Sequence, residues 1–334
     1  MLKVIKDRMI MLVFVIFGVS IITFMISNII PGDPARMIVG QRASQETYEK
    51  VREQLGLNDP LFVQYFNYIK GIFTGDLGTS IRTQQPVMND LFTYFPATLE
   101  LVVFAFIIAI FFGIIIGVIT AVYNNTKIDY IGRIFSISGV STPVFLSGLL
   151  LILFFYGKLG WLPSSGRLDL TIARPDKITG FYTIDSLIAG DFNTFKNAIS
   201  HLLLPAIALS YVQLSAITRQ VRSSMIDILN QDFIRTAKAN GISNLTLIFR
   251  YGLRNALIPT VTVIGVSFGS LLGGAVITEI VFNWPGMGKY VVDSIGNLDF
   301  PAIMGFTIFI AVGYVLINLV VDLLYLVLDP QIRE

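Results

Sequence analysis

A glycine–lysine pair is the place in this sequence where residue types most suggest nucleotide chemistry. Gly288 and Lys289 lie in the stretch "WPGMGKY". A phosphate-binding loop also needs a glycine five positions before the second glycine and a Ser or Thr after the lysine, because backbone N–H groups and that hydroxyl hold the phosphates and Mg²⁺. Asn283 and Tyr290 occupy those positions. We therefore predict no nucleotide site here and interpret the stretch as a turn formed by its proline and both glycines.

The remaining ionisable residues form no catalytic or metal-binding pattern. The chain has no Cys and a single His, His201, with no further ligand close to it in sequence. A zinc site takes about four ligands, so we interpret His201 as a packing or interfacial residue. No hydrolase or redox constellation is apparent. We predict no catalytic residue, no metal site and no cofactor bound by this chain.

Three acids, Glu100, Glu279 and Asp322, lie within or at the edges of strongly apolar runs. A charge at the centre of a bilayer costs at least about 2.5 kcal/mol, so such a group faces a cavity, a partner or the interface. Glu100 and Glu279 lie near enough to the ends of their runs to reach water. For all three acids, structural pairing is favoured over contact with a substrate.

The composition indicates an integral membrane protein. Of 334 residues, 54% are hydrophobic and only 14% are charged, whereas soluble domains carry about 25% charged residues. A chain with so little charge cannot cover a soluble surface, which indicates a surface that faces lipid. The formal net charge is +2, so nucleic acid is not predicted as a partner.

Six apolar runs are long enough to cross a bilayer as helices, which takes about 20 residues each. They cover residues 9–30, 97–122, 134–156, 202–222, 257–280 and 302–328. We predict an all-α integral membrane fold with six transmembrane helices. Two G-x-x-x-G pairs, Gly113 with Gly117 and Gly269 with Gly273, predict buried faces at which helices approach closely.

Loop charge orients the spans. The short segments on the same side as the N-terminus are rich in Lys and Arg, and short basic loops stay in the cytoplasm. Both termini are therefore predicted to be cytoplasmic. The chain accordingly divides into a cytoplasmic N-terminus with the first span (1–30), an external loop with short helices (31–96) and a five-helix core with a cytoplasmic loop at 223–256 (97–334).

The external loop contains two predicted helices. "SQETYEKVREQLGL" has Ser44 as a candidate N-cap and Gly56 as a stop, which are the usual signals of a helix start and end. "PLFVQYFNYIKGIF" follows it and is rich in aromatic residues, which favour the membrane interface. A second external segment, 157–201, shows turn signals and little periodicity.

The cytoplasmic loop has helix signals of its own. Asp232 can cap a short helix, and Gly241 can end it in the left-handed conformation that glycine adopts without strain. A second helix can start at Ser243 and run toward Pro259. A short helix set apart in this way can dock into a groove on another protein. A solvated basic loop that only obeys the positive-inside rule accounts equally well for the charges.

The sequence of this loop also resembles that of a known family. Arg235, Thr236 and Ala237 are followed, after three residues, by Gly241. This pattern is similar to the motif that begins Glu-Ala-Ala in the cytoplasmic loop of ATP-binding-cassette (ABC) importer permeases, with Arg in place of Glu. The Arg-Thr-Ala form resembles the peptide-permease branch. Further stretches resemble the same branch in the same order, namely "IIPGDPA", "LGLNDPLFVQY", "GDLGTS", "TEIVFNWPGMGKY" and "VDLLYLVLDPQIR".

The resemblance covers essentially the whole chain and is greatest to the first permease subunit of dipeptide and oligopeptide importers. It implies a type I ABC importer permease in the bacterial cytoplasmic (inner) membrane, a translocation subunit and not an enzyme. The implied partners are a second homologous permease subunit, two cytoplasmic ATP-binding subunits that use ATP and Mg²⁺, an extracytoplasmic solute-binding protein and membrane lipid.

The resemblance also implies which residues couple to the ATPase, and these are Arg235, Thr236, Ala237, Lys238, Ala239 and Gly241. No substrate-binding residue is predicted. The implied substrate is a short peptide. The alternatives are an importer of the same type for nickel chelates or glutathione and, from a different class, a proton-coupled secondary carrier. A carrier usually shows inverted repeats or ionisable groups in mid-membrane, and neither is evident here.

Overall fold

A computed structural model describes residues 2–29, 33–40, 42–54 and 56–328. These residues form helices and irregular connections, with no strand among them beyond one isolated bridge between Thr79 and Pro86. The helices are α1 (Leu2–Ile29), α2 (Pro34–Val39), α3 (Gln45–Gln54), α4 (Leu61–Thr74), α5 (Val87–Val122), α6 (Lys127–Ser141), α7 (Val144–Leu151, continued by a π-helix, Ile152–Lys158), α8 (Tyr182–Ile188), α9 (Phe192–Leu229), α10 (Asp232–Ala239), α11 (Asn244–Thr246, continued by a π-helix, Leu247–Leu253), α12 (Arg254–Val281), α13 (Met287–Gly296) and α14 (Phe300–Leu328). The predicted all-α class is confirmed.

Within the described residues, five helical segments are long and apolar enough to cross a membrane, and a bent pair makes a sixth if it is counted as one span. They are Ile5–Ile29, Val87–Val122, Phe192–Leu229, Asn244–Val281 and Phe300–Val320, with Lys127–Ser141 plus Val144–Lys158 as the bent pair. Every predicted span has a counterpart. The second, fourth and fifth are longer than predicted, at 36, 38 and 38 residues, because polar turns extend each helix beyond the end of its apolar run.

The third predicted span is bent. α6 and α7 meet at an angle of 113°, and Thr142 between them is extended, with φ −93° and ψ 123°. Pro143 follows. Proline lacks an N–H group, and its ring pushes the preceding residue out of the helical region. The prediction of one uninterrupted helix over 134–156 was therefore wrong at this proline.

The two helices predicted within 31–96 are both present. The Ser44 hydroxyl accepts a hydrogen bond from the Thr47 N–H at 3.2 Å at the start of α3, and Gly56 follows that helix with φ +64°. The aromatic stretch forms α4, which ends at Gly75 in a left-handed conformation. The predicted cap and stop signals therefore act as expected.

The chain forms two compact units. The first comprises residues 1–95 and 287–319, and the second comprises residues 96–286 and 320–334. The core of the first unit consists of fully buried side chains from α5, α13 and α14, namely Val87, Leu91, Met287, Tyr290 and Ala302.

The core of the second unit lies where α9 packs against α5 and α12. A Cβ atom added at Gly113 would lie 2.9 Å from Ile217 Cγ2, and one added at Gly117 would lie 2.6 Å from Val221 Cβ. The first G-x-x-x-G pair therefore permits close helix approach, as predicted. The second does not act as a pair, because Gly273 is exposed and a Cβ there would meet no atom within 4 Å.

Candidate functional site

Helix α10 begins at Asp232, which is its first residue and not its cap. Gln231 holds the N-cap position in an extended conformation (φ −74°, ψ 154°), without a side-chain hydrogen bond. The prediction that Asp232 caps the helix was therefore wrong by one residue. Asp232 instead places its carboxylate in the first turn, where the helix dipole favours a negative charge. It accepts a hydrogen bond from Arg235 Nη1 at 3.3 Å.

Gly241 ends α10 as predicted. Its φ is +80°, in the left-handed region that glycine enters without strain. The Gly241 N–H donates to the Lys238 carbonyl at 3.0 Å, and the Ile242 N–H donates to the Ala237 carbonyl at 3.2 Å. These two bonds close a Schellman motif. A Cβ added at Gly241 would meet no atom within 4 Å, so a substitution is opposed by backbone conformation and not by crowding.

The two faces of α10 differ. Ile234 and Ala237 are buried, at 6% and 8% exposure, on the helix that packs against the π-helix Leu247–Leu253. The other predicted coupling residues on the helix are exposed, namely Arg235, Thr236, Lys238 and Ala239. The structure therefore brings four of the six predicted residues to one outward surface, while Ala237 faces its own chain and Gly241 forms the turn.

The helix predicted after this turn is the beginning of the fifth span. The Ser243 hydroxyl caps it, and helical structure then continues through the π-helix to Val281. Leu245 and Phe249 are 70% and 56% exposed beside α10, whereas Gly252 is buried against the end of α9. The outward surface near α10 therefore contains large apolar side chains as well as basic ones.

A buried carboxylate connects α6 to the part of α9 that leads into α10. Asp129 is fully buried and accepts hydrogen bonds from Arg222 Nε at 2.6 Å and Nη2 at 2.9 Å. It also accepts bonds from Arg133 Nη2 and from the Asn125 N–H, both at 3.0 Å. We call Asp129, Arg133 and Arg222 the Asp129 cluster. It joins this part of α9 to α6.

A second buried carboxylate, that of Glu100, lies in the amino-terminal half of α5. Glu100 is 2% exposed. One of its oxygens accepts a short hydrogen bond from Arg167 Nη2, and the other accepts bonds from the Thr183 N–H and hydroxyl at 2.9 and 2.7 Å. Arg167 also donates to the Gly180 carbonyl at 2.9 Å and lies 3.6 Å from the ring centre of Tyr182. We call Glu100, Arg167 and Thr183 the Glu100 cluster. The expectation of pairing was correct, and the expectation that Glu100 reaches water was wrong.

Asp185 shapes the loop that supplies this cluster. Its carboxylate accepts hydrogen bonds from the N–H groups of Thr179 and Gly180, both at 2.8 Å, and from the Thr179 hydroxyl at 2.7 Å. Burial raises the pKa of Asp185, but these hydrogen bonds outweigh it and hold the pKa below its ordinary value. The carboxylate thereby fixes the turn that presents the Gly180 carbonyl to Arg167.

Glu279 is also buried rather than near water, with no measurable exposure. The Thr98 hydroxyl donates to it at 2.6 Å. A Cβ at Gly286 would collide with the Glu279 carboxylate, so the turn after α12 passes directly over it. Gly288 was predicted to form part of that turn, but it lies in α13. The side chain of Asp322, the third acid, lies outside the described residues.

His201 packs in α9 as predicted, with 5% exposure. Its Nδ1 lies 2.9 Å from the Ser165 carbonyl oxygen and its Nε2 lies 3.1 Å from Asp169 Oδ1. Hydrogen bonds from Asn197 and His201 hold the pKa of Asp169 below its ordinary value. The described part of the chain contains no group of three or more side chains that could hold a metal ion.

Sequence reasoning missed Asp129, Arg167 and Arg222 as members of buried clusters. Their charges were used only to orient the membrane spans. Arg167 lies in a stretch with turn signals, "LPSSGR", and its partner is 67 residues away. Only the position of Arg222 next to an apolar run gave a local signal that its charge needs a partner.

Comparison with known proteins assigns both parts of the chain to one type of transport system. The family model described as binding-protein-dependent transport system inner membrane component matches residues 113–334, and the corresponding N-terminal model matches residues 1–102. The probable D,D-dipeptide transport system permease protein DdpB of Escherichia coli is 51% identical over 330 residues, which are 99% of this chain and 97% of that protein.

Two further relatives align over the whole chain. The dipeptide transport system permease protein DppB of Alkalihalophilus pseudofirmus is 43% identical over 333 residues, which are 100% of both proteins. The glutathione transport system permease protein GsiC of Salmonella choleraesuis is 37% identical over 333 residues, which are 100% of this chain and 99% of that protein.

The fold and the matches define a membrane-spanning component of a solute transport system. The chain belongs to the family of binding-protein-dependent transport system inner membrane components, which are the permease subunits of ABC importers. The resemblance to the peptide-permease branch is confirmed by full-length relatives named as dipeptide permeases.

Proposed function

We propose that this chain forms part of the pathway through which an ABC importer moves dipeptides, with D,D-dipeptides as the preferred class. The observation that carries this proposal is the 51% identity to a D,D-dipeptide permease over 99% of the chain. Glutathione is the second candidate, because its permease is also similar over the whole length, at 37% identity.

The proposed assembly contains four further subunits. A second homologous permease completes the pathway, two cytoplasmic subunits bind ATP with Mg²⁺, and an extracytoplasmic binding protein delivers the peptide. The sequence at Gly288 and Lys289 lacks the residues of a phosphate-binding loop, which supports the placement of ATP hydrolysis in a partner.

The proposed coupling element is α10. Its exposed residues Arg235, Thr236, Lys238 and Ala239 would lie in a groove of the ATPase subunit, where the basic side chains can pair with acids. Ile234 and Ala237 hold the helix to its own chain, and the turn at Gly241 sets its direction. The Asp129 cluster would pass a displacement of α10 and α9 to α6, so that the spans tilt and the pathway alternates between the two sides.

The proposed location is the cytoplasmic (inner) membrane of a bacterium, with both termini in the cytoplasm. The basic short loops support this orientation. Reporter fusions after residues 60 and 180 are expected to report the outside, and fusions after residues 128 and 240 the inside. An external reporter signal at 240 would overturn the coupling proposal, because α10 could not then meet a cytoplasmic ATPase.

Uptake by the reconstituted complex tests the substrate. Liposomes that contain this permease with its partner subunits should take up a D,D-dipeptide such as D-alanyl-D-alanine faster than the L,L-dipeptide, and glutathione slowest, in the presence of ATP. Preferred uptake of glutathione would overturn the dipeptide proposal. The purified single chain, measured in parallel, is expected to hydrolyse no ATP, and hydrolysis by it would remove the need for ATPase partners.

A further inference from the structure

The ring of His201 is held between acceptors on one short stretch of the chain. Its Nδ1 lies 2.9 Å from the Ser165 carbonyl oxygen and 3.3 Å from that of Gly166. Its Nε2, on the other side of the ring, lies 3.1 Å from Asp169 Oδ1. The two nitrogens therefore contact residues on either side of Arg167, which belongs to the Glu100 cluster.

Both contacts of His201 are satisfied only when the ring carries two protons. A neutral imidazole has one N–H group and one lone pair, whereas the imidazolium ion has two N–H groups. A carbonyl oxygen and an ionised carboxylate are both acceptors, so the lone pair of a neutral ring would face one of them. Loss of a proton from His201 must therefore break one of the two contacts.

The contact with Asp169 is the one that can open. The Asn197 amide donates to Asp169 Oδ2 at 2.5 Å. Hydrogen bonds from Asn197 and His201 hold the pKa of Asp169 below its ordinary value, so the carboxylate is ionised. The Asp169 side chain is 56% exposed and can turn toward water, whereas the Ser165 carbonyl belongs to the backbone. A neutral ring would thus keep its bond to Ser165 and release Asp169.

Asp169 is the charged group that contacts the His201 ring, within the part of the chain that the structure describes. The charged side chains on the helices packed against α9 have other partners or are exposed. The buried acids among them bind elsewhere, namely Glu100 to Arg167, Asp185 to the turn at 178–180, Glu279 to Thr98, and Asp129 to Arg222. The nearest lysines, Lys158 and Lys196, are exposed. The charge of His201 is therefore balanced by Asp169.

The stretch of residues 165–169 attaches an exposed segment to the rest of its unit. The Gly166 N–H donates to the Phe282 carbonyl at 2.9 Å, at the end of α12. The residues that follow, 170–179, are mostly exposed. The bonds made by His201 therefore help to decide how firmly this exposed segment is anchored.

We propose that His201 is a proton-controlled latch. The protonated ring holds residues 165–169 against α9, and the neutral ring releases Asp169, so that the exposed segment 170–179 becomes more mobile. Histidine is the side chain that usually changes charge between about pH 5 and pH 8. The latch is accordingly closed in acid and open in alkali. That it senses the external medium rests on the proposed topology, whereas the latch itself is independent of the transported substrate.

The protonation state can be measured directly, because His201 is the single His of the chain. The full-length chain, purified without a histidine tag and labelled with nitrogen-15 at histidine, gives one pair of imidazole nitrogen signals in lipid nanodiscs. We expect both nitrogens to carry protons at about pH 5.5 and only one to do so at about pH 9. A ring that is neutral at the lower pH would overturn the proposal.

A spin label at Leu170→Cys reports the consequence, and the chain suits this label because it has no native Cys. The mobile fraction of its spectrum should be about twofold greater at about pH 8.5 than at about pH 5.5. The same label at Ile188→Cys, an exposed position on α8, is the matched control and should not change.

Two further variants separate the latch from general loosening. Asp169→Ala removes the acceptor, so the label at 170 should be mobile at both pH values. Asn197→Ala removes the other partner of Asp169 but keeps the titrating ring, so mobility should rise while the pH response persists.

Three outcomes of the spin-label measurement would contradict the proposal. An unchanged label at 170 would mean that the segment is not released. An equal change at 188 would indicate a general conformational change, and a pH response that persists in Asp169→Ala would assign it to another group. None of these measurements involves uptake, so failure of the latch is distinguishable from failure of the proposed function.

Discussion

The Glu100 cluster and helix α10 place their charges in opposite environments. Glu100 and Arg167 are 2% and 8% exposed and are paired with each other within the chain. Asp232 and Arg235 form an ion pair whose side chains are 94% and 73% exposed. The first arrangement serves the fold, because an unpaired charge in that position would be destabilising. The second contributes little to the fold and leaves charge available to another subunit.

The Asp129 cluster is intermediate between these two. Its carboxylate is fully buried, but the Arg222 and Arg133 side chains are 20% and 39% exposed. The comparison therefore predicts a graded series. Substitutions in the Glu100 cluster should lower stability, those in the Asp129 cluster should lower both stability and coupling, and those in α10 should lower coupling alone.

The largest expected effect is that of Arg167→Met. It leaves Glu100 buried without its cationic partner, a change that costs about 3–5 kcal/mol in buried pairs. We expect a lower thermal unfolding midpoint of the purified complex and lower membrane abundance. The double variant Glu100→Gln/Arg167→Met removes both charges and should recover part of the loss. Strictly additive losses would contradict the assignment of the pair as coupled.

Asp129→Asn should cost less, about 1.5–3 kcal/mol, the usual range for hydrogen bonds to charged groups. The arginines that lose their carboxylate can turn toward water. We also expect fewer peptides transported per ATP hydrolysed, since α9 and α6 are no longer firmly joined. Arg133→Gln, which removes the more exposed partner, is the matched control and should have the smaller effect. A loss equal to that of Arg167→Met would show that the two clusters are energetically alike.

Gly241→Val should affect function far more than stability. A β-branched residue in the left-handed region costs about 1–3 kcal/mol locally, and that strain is relieved by distortion of a turn outside the spans. We expect near-normal membrane abundance with loss of uptake or of co-purifying ATPase subunit. Asn244→Ala, three residues further along the chain, serves as the control. Normal uptake by Gly241→Val would favour the interpretation of a solvated basic loop.

The smallest expected effect is that of Arg235→Gln on stability. The side chain is largely exposed and its ion pair with Asp232 is open to solvent, so the unfolding midpoint should not shift measurably. Binding of the ATPase subunit should weaken, and more so at low salt, where exposed charges interact most strongly. Asp232→Asn serves as the comparison. A clear drop in the unfolding midpoint for Arg235→Gln would break the contrast between α10 and the Glu100 cluster.

Features fixed by local chemistry could be predicted from the sequence. Apolar runs indicated the spans, Ser44 and Ser243 marked helix starts, and Gly241 marked a left-handed turn. The start of α10 was misplaced by one residue, because Asp is a stronger capping residue than Gln and yet the backbone turns at Gln231. The bend at Pro143 was readable but was outweighed by the apolar run around it.

Features fixed by distant contacts could not be predicted. Arg167 and Glu100 are 67 residues apart in sequence, and Arg222 and Asp129 are 93 apart. Nothing in the periodicity of either segment indicates which acid meets which base. For the same reason the sequence placed Glu279 near water, although a turn several residues later covers it.

Water or protein must reach the bend between α6 and α7. Two helix ends meet there, and each leaves backbone groups without partners inside its own helix. Pro143 at the start of α7 supplies no side-chain hydrogen bond to the first turn. Hydrocarbon cannot satisfy such groups, each of which would cost several kcal/mol. The environment around Thr142 therefore cannot be lipid alone. The bend marks a position that water or protein covers along an otherwise apolar segment.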